Sequence, residues 1–219
     1  MTSYGQFCPV AKAMEVLDER WTLLIVREML LGSRHYNDLR RGVPKMSPAL
    51  LSKRLRSLER VGVVRKDVVA GRTSYTLTQA GNELRPLVES LSSWGMRWIG
   101  DLGEEDLDPH LLLWDMQRTM PLAEWPRERT TLALRLVDGE GKASHWWIVA
   151  TGDRFEICDF DPGYEVTATI DGSLRTMVRV WRGEVSWPRA FGSGELTLTG
   201  RADVERWIGT SIFAVPVPA

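Results

Sequence analysis

The chain is poor in cysteine, with Cys8 and Cys158 alone among 219 residues. Two thiols cannot build a disulfide framework, and their scarcity suits a reducing compartment. Histidine is also sparse. His35, His110 and His145 are scattered and offer no metal-ligand pair. No apolar run reaches the roughly 18–20 residues a membrane span needs. The stretch WTLLIV at 21–26 sits between charges and reads as a buried helix segment. Residues 1–7 lack a basic region followed by an apolar one, so no signal peptide is expected. A cytoplasmic protein without a membrane partner follows. Glycine loops for phosphate and nucleophile elbows are missing as well. Asp153, Glu156, Asp159 and Asp161 fall close together but lack the spacing and closing glutamate of a calcium loop. The expectation is no enzyme, no metal and no cofactor.

Net charge is also low, at −1, yet it hides an asymmetry. Residues 1–100 carry 16 Lys and Arg against 9 Asp and Glu. Residues 101–219 carry 12 against 20. A split of this size predicts two units with different partners. The acidic, Gly-containing, Pro-ended stretch GDLGEEDLDP (100–109) marks the boundary. The domains expected are 1–100 and 105–219.

The first half reads as helices and a hairpin. Val10, Ala13, Met14, Leu17, Trp21, Leu24, Ile25 and Leu31 recur at helical spacing, with a break near Asp18–Glu19 and a stop at Gly32. HYNDLRRGV (35–43) predicts a short helix. Ser47-Pro48 is an N-cap followed by proline at the first helical position. Leu51, Leu55 and Leu58 then form a buried stripe at i, i+4, i+7. Two β-rich runs, 63–69 and 73–77, joined by Ala70-Gly71-Arg72, predict a hairpin. Thr78 caps a long helix with an apolar face at Leu84, Leu87, Val88, Leu91, Trp94 and Trp98.

That order, with ten Lys and Arg against two acids between 34 and 66, is the order of a winged helix-turn-helix meeting double-stranded DNA. Short outward residues (Ser47, Ala49, Ser52) permit close approach to a major groove about 12 Å wide. The cations Lys45, Lys53, Arg54 and Arg56 reach for base edges or phosphates. Tyr36 and the wing-tip Arg72 complete the candidate DNA-binding set.

The stretch 4–98 resembles the HxlR-type regulators, relatives of the MarR group. The marks are Cys8-Pro9, Arg20-Trp21 before TLLIV, Tyr36-Asn37-Asp38-Leu39, MSPALLSKRLRSLERVGVV, YTLTQAG and Trp94. The resemblance implies a homodimeric transcription factor on a palindromic operator. It places the dimer interface on the first helix and on the helix after the wing. It also implies a role for Cys8, since some members sense oxidants or electrophiles at that position. A helix N-terminus and Lys12 would favour a thiolate there.

The second half is rich in aromatics. Seven of the ten tryptophans lie in 109–219. A helix at about 109–119 is followed by strands at 130–137, 145–150, 155–160 and 165–171. A helix at 173–183, a strand at 195–200 and a helix at 201–209 complete it. Trp146 and Trp147 point to opposite faces of one strand. The stretch 166–182 and RAFGSGELTLTG (189–200) are similar to sterol-carrier-protein type domains. That resemblance implies a mostly antiparallel sheet with covering helices and an apolar tunnel for a small molecule or lipid. The candidate pocket residues are Trp114, Trp147, Phe160, Met177, Trp181 and Phe191. The fold class expected is α+β, a winged helix-turn-helix followed by a sterol-carrier-like domain. The function expected is a DNA-binding regulator modulated by an apolar effector. Two alternatives stay open: a thiol sensor acting through Cys8 with a structural second domain, and a lipid carrier.

Overall fold

The computed structural model describes residues 3–99, 101–137, 143–152, 154–201, 206 and 208. Contacts divide the chain into two units, Met1–Ser92 and Ser93–Ala219.

In the first unit α1 (Pro9–Leu17) starts behind Cys8 with proline at its first position, and Asp18 closes it. α2 (Thr22–Leu30) buries Ile25 and Val26 completely. α3 (Tyr36–Gly42) buries Leu39. The Ser47 hydroxyl accepts from the Leu50 amide and opens α4 (Pro48–Arg60). Leu51, Leu55 and Leu58 are 1%, 1% and 2% exposed, the predicted stripe. Burying each such side chain contributes about 1.5–3 kcal/mol.

β1 (Val64–Val69) pairs antiparallel with β2 (Arg72–Leu77), Val69 opposite Arg72. The loop is therefore two residues, Ala70 at φ 50° and Gly71 at φ 74°. Positive φ at both positions matches the twist of the strands it joins. The Tyr75 amide donates to the Arg34 carbonyl at 2.7 Å, and His35 Nδ1 lies 3.1 Å from the Thr73 carbonyl. These bonds attach the hairpin to the loop before α3.

The long helix expected after Thr78 is two helices, α5 (Gln79–Asn82) and α6 (Arg85–Trp98). Pro86 is the reason. It has no N–H for the Asn82 carbonyl, and its ring crowds that oxygen. The Thr78 hydroxyl accepts from the Gly81 amide and donates to the Gly62 carbonyl. A β-carbon on Gly81 would stand 2.3 Å from the Val63 carbonyl oxygen, so the motif needs glycine there.

In the second unit Asp108 caps α7 (Pro109–Thr119), accepting from the amides of His110 and Leu111. The strands are β3 (Thr130–Val137), β4 (Ala143–Thr151), β5 (Arg154–Cys158), β6 (Ala168–Ser173) and β7 (Leu196–Gly200). They form one sheet in the order β5-β4-β3-β6-β7, antiparallel except for β3 with β6. α8 (Leu174–Trp181) and α9 (Trp187–Gly192) join α7 on its apolar face. The core there contains Leu132, Leu134, Ile148, Ile170 and Leu196 from strands and Met116, Met177 and Val180 from helices. The stretch SWPRAF forms α9, because Ser186 caps it and Pro188 sits in its first turn. Of the terminal helix expected over 201–209, Arg206 and Ile208 are described as helical, and Ile208 joins the core. Gly100, Asp138, Gly139, Asp153, Trp207 and Phe213 lie outside the described residues. Among the described residues no helix is long and apolar enough to cross a membrane.

Candidate functional site

α4 carries its leucines inward and leaves Ala49, Lys53 and Arg56 exposed, with Ser52 half-buried beside them. Ser47 is exposed, but its hydroxyl already serves as the helix cap. Lys45 is exposed just ahead of the helix, and Arg72 at the start of β2, beside the wing tip. Tyr36 is half-buried. Its hydroxyl donates to the Pro48 carbonyl at 2.8 Å and accepts from Ser52 at 3.5 Å. It thereby docks α3 against the start of α4. Lys66 on β1 is exposed and adds a wing cation that the contact set above left out.

Arg54 requires a correction. It sits on α4 between Lys53 and Leu55, yet only 9% of it is exposed. Its guanidinium pairs with Glu19, and its Nε donates to the Arg20 carbonyl at 3.2 Å. In this structure the side chain is turned into the protein and its guanidinium is already engaged.

The six candidate pocket residues do not converge. Met177 and Trp181 are packed in the core, and Trp181 Nε1 donates to Asp115 at 2.7 Å. Trp114 lies half-buried beneath the Arg118 guanidinium, 4.9 Å from its ring centroid. Phe191 stacks on Trp187 at 5.6 Å. These four belong to the helical side of the sheet. Trp147 points to the other face, because Trp146, its neighbour in the strand, joins the core. Phe160 follows β5 and is 66% exposed. Among the described residues no group of three or more His, Cys, Asp or Glu stands close enough to hold a metal.

Cys8 is partly exposed at the start of α1, as its proline neighbour predicts. The Lys12 ammonium, expected beside the thiol, instead pairs with Glu15 at 2.9 Å. Cys158 is also partly buried. Burial pushes its thiol up, and the Glu156 and Asp159 carboxylates push it further.

Residues 16–102 match the HxlR-like helix-turn-helix family. The HTH-type transcriptional regulator YvaP of Bacillus subtilis is 38% identical over 99 residues, which is 43% of this chain and 92% of that protein. The chain belongs to the HxlR-like family. The HTH-type transcriptional regulator sll1512 of Synechocystis is 33% identical over 98 residues, 43% of this chain and 73% of the other. The reduced form of the transcriptional regulator YodB from B. subtilis is similar at 26% identity, covering 44% of this chain and 100% of that one with a TM-score of 0.39. The first unit is thus the winged helix-turn-helix of an HxlR-like transcriptional regulator. The family match ends at residue 102 and does not extend over the C-terminal sheet. Both relatives are named as HTH-type transcriptional regulators.

Proposed function

We propose that the protein binds operator DNA as a homodimer and that an apolar effector in its second unit modulates that binding. The observation that carries the DNA reading is the division of α4. Its leucines are sealed inward while Ala49, Lys53 and Arg56 stand in solvent. A helix so divided suits the major groove, and Lys45, Arg72 and Lys66 flank it where phosphates would run.

The dimer reading rests on α6. Leu87, Leu91, Trp94 and Trp98 are 42%, 47%, 55% and 68% exposed and follow one another at i, i+4, i+7, i+11. One helix face with two exposed indoles is an interaction surface. Phe7, Val10 and Met14 add exposed apolar area at α1. A two-fold protein would read half-sites about 34–36 Å apart.

The effector reading takes residues 105–219 as a sterol-carrier-like domain. It is supported by three helices on one face of a mostly antiparallel sheet, with Met177 and Trp181 in the apolar core on that side and Phe191 packed against it. An effector acts only so far as it binds the DNA-competent and incompetent states differently.

Gel shifts with the DNA upstream of the gene test the whole. The expected result is a shift that weakens steeply with salt. Organic extraction followed by mass spectrometry tests the effector. A protein that yields no apolar compound, and whose DNA affinity no fatty acid or sterol alters, ends that part of the reading.

A further inference from the structure

We infer that Arg54 is a positioning residue for DNA binding: it fastens α4 to the α1–α2 elbow and so fixes how the helix presents Lys53 and Arg56. The inference rests on the DNA-binding reading above.

Three leucines hold α4 on one side. Leucine contacts are not directional, so they permit the helix to roll. Arg54 supplies two directional bonds. Its guanidinium pairs with the Glu19 carboxylate, and Nε donates to the Arg20 carbonyl at 3.2 Å. Both acceptors belong to the short elbow Asp18–Trp21. Asp18 ends α1, its amide bonded to the Met14 carbonyl, and Trp21 begins α2, its carbonyl accepting from the Ile25 amide. Trp21 holds φ 79°, a left-handed conformation that a bulky residue rarely adopts. The Arg20 guanidinium lies 5.2 Å over its indole. Such a conformation persists where the surroundings over-determine it. The elbow is therefore a fixed point, and Arg54 ties the roll of α4 to it. Any tilt of α1 or α2 at the elbow is passed to α4 through the same two bonds.

The test is a gel shift with the upstream DNA and with a random-sequence duplex, each at several salt concentrations. The proteins compared are wild type, Arg54→Met, Arg54→Lys, Glu19→Gln, Lys53→Ala and the double variant Arg54→Met/Glu19→Gln. Arg54→Met and Glu19→Gln should each weaken upstream binding roughly tenfold. Neither should change the salt slope, and the double variant should be no worse than Arg54→Met alone. Arg54→Lys, which keeps the charge but not the fork, should fall between wild type and Arg54→Met. Lys53→Ala, removing a phosphate or base contact, should lower the salt slope by about 1. A reduced slope in Arg54→Met means direct contact and overturns the inference. So does Glu19→Gln binding as wild type, or a loss that disappears once affinity is referred to the folded fraction measured by circular dichroism. Should Arg54→Met fail to fold, Glu19→Gln and Arg54→Lys carry the test. A wild-type protein that shifts neither duplex defeats the DNA-binding reading itself, an outcome visible before any variant is compared.

Discussion

Gly81 shows how one residue can serve two elements. It opens α5 by donating its amide to Thr78, and it lies against the Val63 carbonyl at the start of the hairpin. Gly81→Ala places a methyl 2.3 Å from a backbone oxygen that has nowhere simple to go. A loss of about 1–3 kcal/mol is expected, read as a lowered urea midpoint at unchanged slope. Cys158 makes a second prediction at this scale. Burial and two carboxylates raise the Cys158 thiol, so its thiolate fraction at pH 7.5 falls below that of an unhindered cysteine. Iodoacetamide should therefore label Cys158 more slowly than it labels the cysteine of a short unstructured peptide, as peptide mass spectrometry would show. A rate equal to the peptide's would contradict the assigned environment. Arg54 and Lys53 are neighbours of the same charge and opposite fate. Composition treats them alike, and only the turn of the helix separates a bonded guanidinium from a solvated ammonium.

At the scale of elements, α4 and α6 make separable predictions. Arg56→Ala should lower the salt dependence of DNA binding by about one unit of slope with little change in the unfolding temperature, since Arg56 is exposed. If α6 forms the proposed dimer interface, the paired change Trp94→Ser and Trp98→Ser should leave the protein folded and shift it from dimer to monomer in sedimentation velocity. Both indoles are more than half exposed on α6, so their removal opens no cavity. A dimer that persists would place the proposed interface on α1 or on the C-terminal sheet instead. Most element boundaries were readable because the signals were local. Ser47-Pro48, Thr78, Gly32 and Ala70-Gly71 each act within a turn. The break between α5 and α6 was missed although its cause, Pro86, was in view. Proline is tolerated in a first turn, so a new helix starting at Arg85 and a kinked single helix look alike in sequence. The helix over SWPRAF was missed because six residues carry too little periodicity, and its cap at Ser186 was not weighed.

At the scale of the molecule, opposite charge surpluses sit in two units with unlike architectures. A fragment of residues 1–100 should retain cooperative unfolding and the upstream gel shift, while losing any response to an apolar compound. Retention of that response would place the effector site in the first unit. Local patterning determined the winged helix by itself. Leucines at a 3.6-residue period, the Ser47 and Thr78 caps and a turn that requires positive φ point to one arrangement, and the surplus of cations is spread over its exposed face. Tertiary structure alone decided which cation faces inward, because Glu19 and the Arg20 carbonyl that hold Arg54 lie more than thirty residues away in the chain. It decided the sheet order β5-β4-β3-β6-β7 for the same reason. The parallel pairing of β3 with β6 joins strands whose partners no local signal names. And it separated the aromatic residues, since alternation along β4 fixes that Trp146 and Trp147 part, while only the packing of α7, α8 and α9 selects which of them enters the core.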